Sequence, residues 1–207
     1  MRTILGVILA GGLARRMGGG DKGLKTLAGR PILARIVDRL RPQVDGVIIN
    51  ANGDPARFDD FGLPVAGDAV EGFAGPLAGV LAGLAWAREN RPDITDIVTV
   101  PSDGPFLPRD VVARLVAARD QTGADLACAA SGGQPHPVVG LWPLRLYEDL
   151  HHAVVGEGIR KVDIWTGRHK LAVAHFPTDP VDPFFNANAP DDLAEAERLL
   201  ARLGDAA

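Results

Sequence analysis

Cysteine is almost missing from these 207 residues. Cys128 stands alone, so no intrachain disulfide can form and no thiolate cluster can hold a metal. It lies in the apolar run "ADLACAA", where it reads as a small core residue. Long apolar runs are also missing: no segment supplies the roughly 20 residues needed to cross a bilayer. The opening "MRTILGVILAGG" leads into Arg15–Arg16 and glycines, not a small-residue cleavage site, so it does not read as an export signal. Nor is there an excess of positive charge. Lys and Arg number 22 against 26 Asp and Glu, a net charge of −4, which argues against a general nucleic-acid binder. The expected compartment is the cytoplasm, with neither membrane nor nucleic acid as a partner. There is no G-x-S-x-G elbow, no H-E-x-x-H and no Cys/His ligand spacing. Any chemistry is therefore left to positioned phosphates, a metal and fixed cations.

What is present is an alternation of short β-branched runs with segments of helical period. The content of 46% hydrophobic and 23% charged residues belongs to a soluble globular chain, and the length suits one α/β domain over residues 1–207. Strands are expected at Thr3–Leu9, Val44–Asn50, Leu63–Ala66, Ile94–Val100, Asp125–Ala129, Val138–Trp142 and Leu171–Phe176. Helices are expected at Pro31–Arg41, Gly75–Glu89, Pro108–Arg119 and Pro190–Leu203, all four opening at or beside a proline. In the last helix, Leu193, Ala196, Leu200 and Leu203 form the apolar stripe. Near-continuous apolar strands between helices imply a mostly parallel sheet covered on both faces. Ligands of such sheets bind beyond the carboxyl ends of the strands.

The first such end opens into "LAGGLARRMGGGDKGL". Its glycines let backbone N–H groups approach a polyphosphate, and Arg15, Arg16 and Lys22 add charged donors. The spacing fits neither a P-loop, since Lys22 is followed by Gly23, nor a G-x-G-x-x-G dinucleotide fingerprint. Asp103 in "VPSDGPF" follows a strand, where it could ligate Mg²⁺ or simply cap a turn before Pro108. Asp68 reads as a ligand group or a solvated loop aspartate. Asn186 and Asn188 in "FFNANAP" stand two apart, so both could face a ligand while Ala187 and Ala189 face the protein. A helix cap reads equally well there. His136, between two prolines, reads as structural; Arg160 and Lys161 read as a second anion site or a solvated pair.

Taken together, the glycine loop, "NAN", Asp68, "GPLAG", "PSDGPF", "HP", "GIRKV" and "FFNANAP" resemble the molybdenum cofactor guanylyltransferases across nearly the whole chain. Sugar-1-phosphate nucleotidylyltransferases carry Gly-Thr where Leu13-Ala14 stands, and the related cytidylyltransferases carry L-A-A-G where Gly11-Gly12 stands. The resemblance implies a three-layer α/β/α Rossmann-like nucleotidyltransferase fold with a mostly parallel mixed sheet, and a Mg²⁺-dependent enzyme. That enzyme joins GMP from GTP to molybdopterin, releases pyrophosphate, and has molybdoenzymes or their chaperones as recipients of the product. By match, Leu9, Ala10, Gly11 and Gly12 lie against the nucleotide, and Lys22 against its phosphates; of the adjacent Arg15 and Arg16, one is expected to face the phosphates, and Arg16 is preferred. Asn50 and Asp68 belong to the guanosine site, and Asp103 holds the metal and contacts GTP. Asn186 and Asn188 fall near the reacting centre, with Arg160 and Lys161 where the pterin could be anchored. Cytidylyl or sugar-phosphate transfer, or nucleotide binding without turnover, are the competing readings.

Overall fold

A computed structural model describes residues 2–11, 20–68 and 75–204. Its strands are β1 (Ile4–Leu9), β2 (Thr26–Leu27), β3 (Arg30–Pro31), β4 (Gly46–Asn50), β5 (Val65–Ala66), β6 (Asp96–Pro101), β7 (Leu126–Ser131), β8 (Gln134–Pro143) and β9 (Leu171–Phe176). Its α-helices are α1 (Ile32–Leu40), α2 (Pro76–Asn90), α3 (Val111–Thr122), α4 (Tyr147–His151), α5 (Val162–Thr166) and α6 (Pro190–Leu203). Seven strands form one sheet in the order β5-β4-β1-β6-β8-β7-β9, and only β8 runs antiparallel to its neighbours. The mostly parallel sheet is what the apolar runs imply, and its mixed character, through β8, is what the family resemblance implies.

The helices cover both faces. On one side, Ile32, Leu33, Ile36, Val37 and Leu40 of α1 pack with Val111, Val112 and Leu115 of α3 and Ala196 of α6. On the other, Leu77, Val80, Leu81 and Leu84 of α2 meet Leu150 of α4 and Val162 and Trp165 of α5. Ala196 alone of the expected α6 stripe is fully buried; Leu193, Leu200 and Leu203 are partly so. Helix α3 starts at Val111 and not at Pro108, because residues 108–110 form a turn that ends in the N-cap Asp110. The β2–β3 ribbon, α4 and α5 are too short to show a periodicity in sequence. Strand β8 begins four residues earlier than its apolar run, since two prolines disguise its entry.

At the amino ends of the strands, Arg119 of α3 and Asp96 of β6 form a buried ion pair. Thr95 Oγ1 also donates to Asp96, at 2.8 Å. At the carboxyl ends, the register sets Ala66, Asn50, Leu9 and Pro101 side by side. Backbone bonds continue this row past the sheet: Ala51 N–H donates to Ala66, Ala10 to Asn50 and Ser102 to Leu9. Among the described residues no helix is long and apolar enough to cross a membrane.

Candidate active site

A cavity of about 550 Å³ lies beyond that row, within the range of small-molecule and cofactor sites. One end is made by β4, β5 and the start of α2, the other by β8 and the segment before α6, with the Asp103 loop between them.

At the β4 end, Asn50 Nδ2 donates to Asp68 Oδ1 at 3.0 Å and to the Ala66 carbonyl at 3.2 Å. Asn52 brackets Asp68 from the other side, its amide donating to Oδ2 at 2.6 Å and its oxygen accepting from the Asp68 N–H at 2.8 Å. The carboxylate is thus fixed while keeping acceptor capacity for a ligand. Helix α2 comes close here because Gly79 has no side chain: a Cβ would stand 2.5 Å from Asn50 Oδ1 and 2.8 Å from Leu9 Cδ2.

At the centre, Lys22 Nζ donates to Asp103 Oδ2 at 3.3 Å and to Asn188 Oδ1. The turn at Lys22–Leu24 reaches the β6 end because Gly23 packs on Ser102, where a Cβ would meet the carbonyl at 3.0 Å. Asp21, beside Lys22, is paired by Arg57 at 2.6 Å. Its charge therefore serves to anchor the loop. Asn188 is held from behind, since Asp192 of α6 accepts from the Asn188 and Ala189 N–H groups, both at 2.8 Å. Ala187 is fully buried and its N–H donates to the Asp103 carbonyl at 3.0 Å. The alternation expected of "NANA" holds: Asn186 lines the cavity, Ala187 faces the core and Asn188 meets Lys22.

Leu9, Gly11, Asn50, Asp68, Asp103 and Asn186 therefore line one cavity, and Lys22 and Asn188 join it through Asp103. Ala10 is buried and acts through its backbone, donating to the Asn50 carbonyl at 2.8 Å. Arg160 and Lys161 are exposed and stand outside the cavity lining, although the Arg160 carbonyl lies beside Gly75 at the rim. Gly12, Arg15 and Arg16 lie outside the described residues. Asn52 escaped the sequence reading even though the two-residue period of an extended segment pairs it with Asn50. His136, read from the sequence as structural, lines the cavity at the β8 end.

A metal would find one carboxylate at the centre, that of Asp103. Among the described residues no group of three or more His, Cys, Asp or Glu side chains could hold an ion. This donor set fits a hard cation that takes one carboxylate and completes its shell with phosphate oxygens and water.

A sequence profile of the MobA-like NTP transferase domain matches residues 6–170. The chain is 60% identical to a molybdenum cofactor guanylyltransferase of Bradyrhizobium sp. over 96% of its length and 94% of that protein. To one of Mesorhizobium japonicum it is 49% identical, over 96% and 97%. Among solved structures, the molybdopterin-guanine dinucleotide biosynthesis protein A of Archaeoglobus fulgidus superposes with a TM-score of 0.72 at 22% identity, over 96% of this chain and 99% of that one. A manganese complex of a Mycobacterium tuberculosis protein gives 0.69 at 18% identity, over 96% and 100%. At those identities the structures speak for the fold alone.

Proposed function

The chain belongs to the MobA-like NTP transferases, and from that premise we propose that it transfers GMP from GTP to the terminal phosphate of molybdopterin. The products are the guanine dinucleotide cofactor and pyrophosphate. The observation that carries this reading is the meeting of Lys22, Asp103 and Asn188 between two differently built ends of one cavity.

Guanine presents N–H donors on its Watson–Crick edge, and Asp68, braced by Asn50 and Asn52, offers a fixed carboxylate to accept them. Leu9 and Gly11 lie along the nucleotide, with the Ala10 backbone fixing their path, and Gly12 is assigned to the same nucleotide. Lys22 has three N–H donors, two of them directed at Asp103 and Asn188, which leaves one for a phosphate oxygen. Arg16 of the glycine loop is assigned to the same phosphates. An oxygen of the acceptor's phosphate monoester attacks the α-phosphorus in line as the bond to the β-phosphate oxygen breaks. The monoester is already anionic near neutral pH, so no protein base is needed. The barrier lies in bringing anions together, which fixed cations and two bound substrates lower by electrostatics and positioning.

Asp103 would hold Mg²⁺, which when bound neutralises charge on the phosphates. Asn186 and Asn188 stand on the acceptor side of the centre, with Arg160 and Lys161 as outer anion contacts. We place the enzyme in the cytoplasm and its product with molybdoenzymes or their chaperones. The test is to mix the purified chain with molybdopterin and each nucleoside triphosphate and to measure pyrophosphate. GTP should support release, whereas release with CTP and none with GTP would overturn the reading.

A further inference from the structure

Because β8 runs against its neighbours, its amino end arrives at the edge where the parallel strands finish. Along β7, Cys128 faces Gly140 but the next residue, Ala129, faces His136, so three residues of β8 have no partner there. Such a bulge re-aims side chains. Here it turns Pro137, Val138 and Val139, together with His136, into the cavity wall. The bulge is fastened from within: Thr99 Oγ1 donates to the Val138 carbonyl at 2.6 Å and accepts from Trp142 Nε1 at 2.8 Å. Both anchoring residues are fully buried.

The protonation of His136 follows from its neighbours. Ser131 Oγ lies 2.8 Å from Asp182 Oδ1 and 2.7 Å from His136 Nε2. A carboxylate only accepts, so the single hydroxyl proton goes to Asp182, and Ser131 then accepts from an Nε2–H. The Phe184 N–H donates to the same Asp182 oxygen at 3.0 Å, fixing that carboxylate. Burial pushes the imidazole pKa below its usual value, with Asp182 pulling the other way, so the ring is neutral at pH 7. Nδ1 therefore carries a lone pair, and it has no hydrogen-bond partner among the described residues. Phe184, with ring centroids 4.7 Å apart, holds the imidazole plane.

We propose that His136 reads the acceptor substrate, its Nδ1 accepting a hydrogen bond from a ring or amino N–H of the heterocycle that enters the β8 end. This rests on the guanylyl-transfer reading, which puts the nucleobase at Asp68. Strand β4 is three strand spacings from β8, about 14 Å, so a base held at Asp68 leaves the His136 end to the second substrate. A pterin's aminopyrimidinone ring presents N–H donors that match a neutral imidazole acceptor. A phosphate dianion presents only acceptors, so the same lone pair turns it away. His136 thereby orients the acceptor with its phosphate toward Lys22.

Two substitutions separate the ring's two nitrogens. His136→Gln keeps a donor at the Nε2 position for Ser131 but has nothing at Nδ1, whereas His136→Asn places an amide oxygen near Nδ1 and gives up Ser131. The Gln variant should raise the KM for molybdopterin about tenfold, the worth of one buried hydrogen bond, with the GTP dissociation constant within about twofold of wild type. The Asn variant should recover most of that loss. An unchanged molybdopterin KM in the Gln variant, or an equal loss of GTP affinity, would overturn the proposal while leaving guanylyl transfer standing. A wild-type chain that releases no pyrophosphate from GTP and molybdopterin removes both.

Discussion

Lys22 Nζ and Asp103 Oδ2 stand 3.3 Å apart although 81 positions separate them in the chain. The cation proposed for the phosphates and the carboxylate proposed for the metal are therefore partners before any ligand arrives, each limiting the other's freedom. Both side chains are mostly covered, 21% and 16% exposed.

Replacing either one should damage turnover far more than folding. Lys22→Ala and Asp103→Ala are each expected to slow pyrophosphate release at least about tenfold, or about 1.4 kcal/mol of barrier. Their unfolding midpoints should stay close to wild type, because a pair at the edge of solvent contributes little to stability. Steady-state rates together with thermal melts check this, and wild-type rates in both variants would remove the site assignment.

Gly79→Ala should harm the nucleotide end through packing alone. The added methyl would sit 2.5 Å from Asn50 Oδ1, displacing the amide that braces Asp68 or shifting α2 off the sheet. Overpacking of this kind costs about 1–3 kcal/mol. A lower melting temperature and a weaker GTP dissociation constant are expected together, and calorimetry reads both.

Arg119→Met should be costly to stability and neutral for chemistry. It leaves Asp96 buried without its main cation at the amino ends of the strands, the opposite edge from the cavity. Removing one partner of a buried pair typically costs about 3–5 kcal/mol. Urea unfolding should show that loss, while kcat at a temperature where the variant is folded should match wild type.

His136 gives the fold a pH signature of definite sign. Its folded pKa is lowered by burial from the ordinary 6.5. Between the folded and unfolded values the unfolded chain binds more protons, so stability rises with pH across that window. The contribution is complete above about 6.5 and is lost as pH falls through the folded pKa. Melting temperatures from about pH 8 to about pH 5 should decline more steeply in wild type than in His136→Gln. Parallel declines would contradict it.

Much of this architecture was legible in the residues. The seven strands of the main sheet and four longer helices follow from apolar periodicity, and Asp68, Asp103 and Asn186 meet in the cavity that the strand-end rule points to. What was hidden depends on contacts far apart in sequence. The pairing of Asp21 with Arg57, 36 positions away, is one such contact. His136 looks structural because its role depends on a bulge and on Asp182, 51 positions beyond the serine that links them. Ala10, expected against the nucleotide, has its side chain buried, while its neighbour Gly11 lines the cavity.

The bond from Lys22 to Asn188 spans 166 positions, and Asp192 on the last helix keeps Asn188 in place. Synthesis delivers amino-terminal segments first, so the nucleotide wall can form well before the residue that closes the phosphate end has been made. A nascent chain halted before α6 would carry Asp68 with both of its asparagines, and Lys22 with Asp103 and Asn188, but lack the Asp192 carboxylate that holds Asn188 in place. The support of the reactive centre is thus the last part of the site to be synthesised.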